Sequence, residues 1–130
     1  MPHFADTNVV AYAFSDDARG LRAADVVDGA TISIQVLNEL TLVARRKWKR
    51  NWAEVDALIA RTCSSAARIV ALDEAVHAVG RQLAERYRLA VYDSFIVSAA
   101  LLSNCDVLYS EDMRDGAVIE GALTIRNPFA

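Results

Sequence analysis

Apolar residues recur along this chain in two rhythms. Between residues 35 and 50, Val36, Leu37, Leu40, Val43, Ala44 and Trp48 fall at three- and four-residue spacing, which predicts an amphipathic helix. A second such pattern, with Val55, Leu58 and Ile59, predicts a helix over 52–62. Helices are also expected over 8–14, over 19–28 with Gly29 as its stop, and over 73–87 with Asp73 as cap and Glu74 in the first turn. A last, strongly apolar helix is expected over 93–103. Short continuous runs read differently: residues 3–6, TISI at 31–34, RIVAL at 68–72, DVLYS at 106–110 and ALTI at 122–125 predict strands.

Strands that alternate with helices imply a parallel sheet, because parallel neighbours need crossover connections and helices supply them. The expected fold class is therefore α/β, with a central, mainly parallel β-sheet flanked by helices. In open sheets of this kind ligands bind beyond the carboxyl ends of the strands, where the topology switches. Residues just after each strand thus carry the most functional interest.

Bulk properties narrow the field. A chain of 130 residues is expected to form a single domain, 1–130, burying about two thirds of the surface of its unfolded form. Five Gly and two Pro leave no linker or low-complexity segment between elements. No apolar run approaches bilayer length and no signal-peptide pattern opens the sequence, so a cytoplasmic protein without a membrane partner is expected. Cys63 and Cys105 stand alone, as buried thiols in a reducing compartment would. The net charge of −3 does not mark a nucleic-acid binder. Such a role would need local positive charge, or metal ions that invert the sign of an acidic site.

Four carboxylates fit the ordinary readings poorly. Asp6 follows the first strand and Asp112 follows the strand VLYS, so the crevice rule places both on one rim. Asp6 also suits a helix cap, and Asp112 a turn. Glu39 lies at the edge of the apolar stripe of its helix, beside Val36, Leu40 and Val43. Asp93 shares a face with Ile96, Val97, Ala100 and Leu101, which must point inward, although an N-cap position explains it equally well. Buried unpaired carboxylates are costly and repel one another. No Lys or Arg is placed to neutralise four of them, whereas a divalent cation would be: hard carboxylate oxygens completed by water suit Mg²⁺ or Mn²⁺. Phosphodiester hydrolysis is the chemistry such a site supports.

The stretches DTN at 6–8, NEL around Glu39, YDS around Asp93 and SED around Asp112 together resemble the PIN-domain family. Their order and intervals match over essentially the whole chain, and the size and the helical run after DTN look most like the VapC toxins of toxin–antitoxin pairs. The resemblance implies a PIN-like three-layer sandwich and a metal-dependent endoribonuclease that uses Mg²⁺, with Mn²⁺ as substitute. It also implies an RNA substrate, a homodimer and inhibition by a cognate VapB-like antitoxin. Asp6, Glu39, Asp93 and Asp112 match the family's metal-binding acids. Asn8 and Ser110 match the polar positions beside them, where each also suits a local role, as a helix cap and a strand-end turn hydroxyl. Asp115 approaches such a site in related sequences, but DMRDG suits a turn equally well.

Other features carry weaker signals. The basic run RRKWKR at 45–50 fits cations at a helix C-terminus, a solvated face or contact with RNA phosphates. Trp48 suits core or interface packing, or stacking on a base. His3 and His77 lack partners at ligand spacing, and Asp16 and Asp17 read as loop solvation. A phosphatase or phosphoacceptor domain would want a second Asp two residues after Asp6 or a Lys after the later strand; Asn8 and the run VLYSED supply neither. A housekeeping RNA-processing nuclease and a non-catalytic RNA- or protein-binding module are the remaining alternatives.

Overall fold

The structure, a computed structural model, describes residues 2–130. Strand β1 (His3–Ala5) leads into α1 (Thr7–Tyr12) and α2 (Ala18–Val27); β2 (Thr31–Ser33) leads into α3 (Ile34–Arg46) and α4 (Trp52–Ser65). Strand β3 (Arg68–Val70) follows, then α5 (Glu74–Tyr87), α6 (Val91–Leu102), β4 (Val107–Tyr109), β5 (Val118–Ile119) and β6 (Leu123–Arg126). The six strands form one sheet in the order β3-β2-β1-β4-β6-β5. All pairings are parallel except that of β5 with β6. The α/β expectation holds, as a mostly parallel sheet flanked by helices. Among the described residues no helix is long and apolar enough to cross a membrane.

Successive residues of the central strands are buried, Phe4 and Ala5 in β1 and Thr31, Ile32 and Ser33 in β2. Because neighbours along a strand point to opposite faces, both faces of the sheet are covered. The chain moves outward from β1 through β2 to β3, then returns to lay β4 on the other side of β1, in register at His3 with Val107 and Ala5 with Tyr109. The β1–β4 seam is therefore the topological switch, where a crevice opens at the strands' carboxyl ends.

Local boundaries differ from the periodicity in instructive places. Ser33 takes an extended conformation and its side chain accepts from the Val36 N–H, so TISI ends as a strand at Ser33 and Ile34 opens α3. Asp17 is exposed, as expected, and is also the N-cap of α2, accepting from the Gly20 N–H at 3.0 Å; this contact holds its carboxyl below the usual range. Helix α3 stops at Arg46, short of the expected 50, and Lys49 adopts a left-handed φ of 56°. Helix α6 starts at Val91 with Ala90 as its cap, so Asp93 lies inside the first turn and caps nothing. The β5–β6 hairpin was not expected. It is two residues long on one side and turns through Glu120 and Gly121, both at positive φ, without the Asn-Gly or Asp-Gly signal that marks such turns.

The core gathers β1, β2, β4 and β6 with the inner faces of the helices, including Phe4, Ile32, Leu40, Ile96 and Leu108. Helices α5 and α6 approach closely at Gly80, where a Cβ would stand 2.6 Å from the Phe95 ring. The Ser98 hydroxyl donates to the Val76 carbonyl at 2.8 Å and pins the same pair. That packing fixes the helix that carries Asp93.

Candidate active site

At the switch point, β1 ends in Asp6 and β4 ends in Ser110. Asp6 is 3% exposed. Its Oδ1 accepts from the Thr7 N–H at 2.6 Å, and its Oδ2 accepts from the Ser110 hydroxyl at 2.7 Å and the Asn8 amide at 3.3 Å. Asp6 is thus both the cap of α1 and the buried floor of the crevice, so the two readings of its sequence position coexist. Asn8 lies within α1 and caps nothing. Its amide also reaches the Ser110 hydroxyl at 3.5 Å and its carbonyl oxygen accepts from the Glu111 N–H at 3.2 Å, tying α1 to the loop after β4. Ser110 is completely buried, and its oxygen accepts from the Met113 N–H at 3.3 Å, so it shapes the loop turn as well as holding Asp6.

Glu39 reaches the same crevice from α3. Its Oε1 accepts from the Thr7 hydroxyl at 2.7 Å and its Oε2 from the Gln35 amide at 2.9 Å. Thr7 therefore serves two acids at once, Asp6 through its backbone and Glu39 through its side chain. Gln35 is 6% exposed and stands one helical turn before Glu39. Neither Thr7 nor Gln35 was singled out as a site residue by sequence reasoning. The i, i+4 spacing of Gln35 and Glu39 is the signal that was available for one of them.

Asp93 enters from α6 and Asp112 from the loop after β4. With Asp6 and Glu39 they line a single cleft of about 780 Å³. Burial, opposed in part by the hydrogen bonds from Ser110 and Thr7 and reinforced by the anions of Asp93 and Glu39, pushes the Asp6 carboxyl up to about 7. Burial first, then the charges of Glu39 and Asp112, raises the Asp93 carboxyl as well. Among the described residues the ion pairs are Arg19 with Glu111, Arg50 with Glu54 and Arg86 with Glu120, so none of the four acids is neutralised by a side chain. Nor, among the described residues, is any group of three or more His, Cys, Asp or Glu side chains gathered tightly enough to form a ready metal cage. What the cleft offers is a concentration of unmet negative charge on hard oxygens, the donor chemistry of Mg²⁺ and Mn²⁺ sites completed by water.

The remaining sequence candidates lie elsewhere. Asp115 is exposed, accepts from the Asn127 N–H at 2.9 Å and does not line the cleft. The His3 ring contacts the Val26 carbonyl at 2.6 Å, and His77 stacks on Phe95 with ring centres 5.0 Å apart. Cys63 and Cys105 are free thiols, the first only half-buried. Of the basic run, Lys47, Trp48 and Arg50 line the far end of the same cleft.

Solved toxins and toxin–antitoxin complexes are among the known structures that share this architecture. A toxin–antitoxin complex from Klebsiella pneumoniae superposes with a TM-score of 0.70 at 21% identity, over 98% of each chain. The Mycobacterium tuberculosis toxin VapC20, described as cleaving the sarcin–ricin loop, gives 0.68 at 17% identity over 85% of this chain and 89% of its own. VapBC2 from Rickettsia felis, bound to a DNA fragment from its promoter, gives 0.67 at 19% identity over 98% and 100%. At these identities the likeness is one of fold. No curated protein matches the sequence. The PIN-domain family model does match, over residues 4–115, which include all four acids of the cleft, and the chain belongs to the PIN-domain family.

Proposed function

We propose that this protein is a divalent-metal-dependent endoribonuclease, the toxin of a VapBC-type pair, and that its chain works as one nuclease domain. The observation that carries the reading is the convergence of Asp6, Glu39, Asp93 and Asp112 on one cleft where, among the described residues, no cationic side chain pairs with them. The solved toxins and toxin–antitoxin complexes of the same fold support it.

These four carboxylates would hold Mg²⁺ or Mn²⁺, and the bound cation would supply an activated water and withdraw charge from the phosphoryl oxygens. The chain's own work is positioning. Ser110, Asn8 and the Thr7 N–H fix the Asp6 carboxylate at the floor, while Thr7 and Gln35 each take one oxygen of Glu39 and set its plane. Asp93 and Asp112 face the opening, where substrate enters. The chain would act as a cytoplasmic homodimer held inactive by a VapB-like antitoxin, as the family resemblance implies.

The test is cleavage of a pool of structured cellular RNA with Mg²⁺, with Mn²⁺ and with a chelator, beside Asp93→Asn. Fragments that require metal and vanish in the variant support the reading, and their ends identify the target. Equal cleavage in the variant or in chelator sinks it.

A further inference from the structure

The cleft has two chemically distinct ends. Opposite the acids its wall is apolar and aromatic: Phe14 and Trp48 meet edge-on with ring centres 6.3 Å apart, beside Leu42, Val43 and Leu58. Leu42 is 49% exposed, an apolar side chain left facing solvent within the cleft. Among the described lining residues Lys47 and Arg50 are the cations, and both lie past the C-terminal end of α3, more than two helical turns along the chain from Glu39. The geometry sorts the basic run to produce this. Helix α3 ends at Arg46, the Trp48 N–H bonds back to the Val43 carbonyl, and the left-handed Lys49 turns the chain so that the Arg50 N–H reaches the Ala44 carbonyl. Arg45 leaves the cleft to lie over Trp52, 4.6 Å from its ring centre. Arg50 meets Glu54 at 3.3 Å on an exposed surface, where a pair of this kind contributes little and competes weakly with a phosphate.

We propose that the Trp48 end is a nucleobase subsite, taking one unstacked base of single-stranded RNA against Trp48 with its phosphates on Lys47 and Arg50. The inference rests on the nuclease reading for its substrate class. An aromatic wall for a base with cations at the rim is the usual chemistry of single-strand recognition. The cleft's charge pattern fits one strand laid along it, with cations beneath the flanking phosphates and acids, loaded with metal, beneath the scissile one. Such a subsite would select for an unpaired nucleotide beside the cleavage point, because a base held in a duplex cannot reach the wall.

The sequence has two tryptophans, Trp48 and Trp52, so Trp52→Phe leaves Trp48 as the sole indole reporter. This protein is titrated with a short oligouridylate in chelator, where turnover is suppressed, and with the same oligonucleotide made abasic. Saturable quenching by the first and its loss with the second are expected. Read instead by the anisotropy of a labelled oligonucleotide, since these variants lack the indole reporter, Trp48→Ala should weaken binding roughly ten-fold, with Trp48→Phe retaining most of it. Lys47→Ala and Arg50→Ala should each lower the slope of log Kd against log salt by about 0.7. Melting of each variant separates lost binding from lost folding, and the Lys47 and Arg50 variants, at exposed positions, keep the test independent of Trp48. Failure to bind, binding without a Trp48 response, or equal quenching by the abasic strand overturns the proposal; the slot would then suit an acidic, apolar peptide. Metal-dependent cleavage with a silent Trp48 removes the subsite and leaves the nuclease, whereas a responsive Trp48 without cleavage does the reverse.

Discussion

The Ser110 hydroxyl donates to Asp6 Oδ2 at 2.7 Å, joining residues 104 apart in sequence across the β1–β4 seam. Burial lifts this carboxyl to about 7 even with that bond in place, and among side chains the Ser110 hydroxyl is the strongest influence opposing burial. Removing a donor from a carboxylate disfavours its ionised form. In Ser110→Ala the Asp6 midpoint should therefore rise above its wild-type value, and divalent affinity near neutrality should fall by roughly ten-fold. Carbon NMR of the Asp6 carboxyl in metal-free protein reads the first effect and calorimetry with Mn²⁺ the second. An unmoved midpoint would mean the hydroxyl only shapes the loop through Met113.

Stability should fall with rising pH in the metal-free protein. Asp6 is raised from 3.8 to about 7 in the folded state and Asp93 is raised as well, so the folded form holds an extra proton on Asp6 between 3.8 and about 7, with Asp93 acting in the same direction. The slope of unfolding free energy with pH is negative where the folded state holds the extra protons, so stability is lost as pH climbs through that window. A melting point lower at pH 8 than at pH 5.5 by at least about 5 °C is expected. Mg²⁺ or Mn²⁺ should recover much of it, and Asp93→Asn should flatten the dependence by removing one anion. A melting point that rises with pH over this range would show that the acids are paired in solution.

Glu39 depends on two donors from different elements, which makes them separable. Thr7→Val removes the hydroxyl while keeping the backbone N–H to Asp6, and Gln35→Met removes the amide at similar volume. Each should weaken divalent binding by about ten-fold or more, the usual effect of losing a ligand's supporting hydrogen bond. Restoration by Thr7→Ser, but not by Thr7→Val, would mark the hydroxyl as the working group. Calorimetry with Mn²⁺ measures both, and unchanged affinity in Thr7→Val would leave Glu39 positioned by α3 alone.

The sequence was legible where chemistry and position coincide. Asp6 and Asp112 were found because strand ends at a topological switch form a crevice, and Asp93 because a carboxylate intrudes on an apolar face. What resisted reading was set by tertiary geometry. Asp93 could be either a cap or a site residue until the Ala90 cap placed it inside α6. Gln35 carries no signal in the sequence beyond its i, i+4 spacing to Glu39, and its burial is set by tertiary packing. The run RRKWKR reads alike as cations at a helix C-terminus, a solvated face or a phosphate contact, because which of its residues reach the cleft depends on where α3 ends and on one left-handed residue, Lys49. Strand β6 falls on the expected strand at 122–125, whereas its partner β5 escaped because a two-residue strand carries no periodicity.

Gly80 gives the last prediction, since it links packing to the site. Alanine there would gain helix propensity of about 1 kcal/mol. Yet its Cβ would stand 2.6 Å from Phe95 Cδ1 and 3.4 Å from the Ser94 carbonyl oxygen, immediately after Asp93. Phe95 is buried and stacked on His77, so its ring cannot swing away freely. Overpacking of this kind costs about 1–3 kcal/mol, which outweighs the propensity gain. Gly80→Ala should therefore lower the melting point and displace the first turn of α6. Because Asp93 occupies that turn, metal binding and cleavage should fall together, before the protein unfolds. Adding Phe95→Leu, which opens room for the new methyl, should restore part of both despite removing buried area itself. If Gly80→Ala melts lower yet binds Mn²⁺ as the parent does, the α5–α6 contact sustains the fold without setting the position of Asp93.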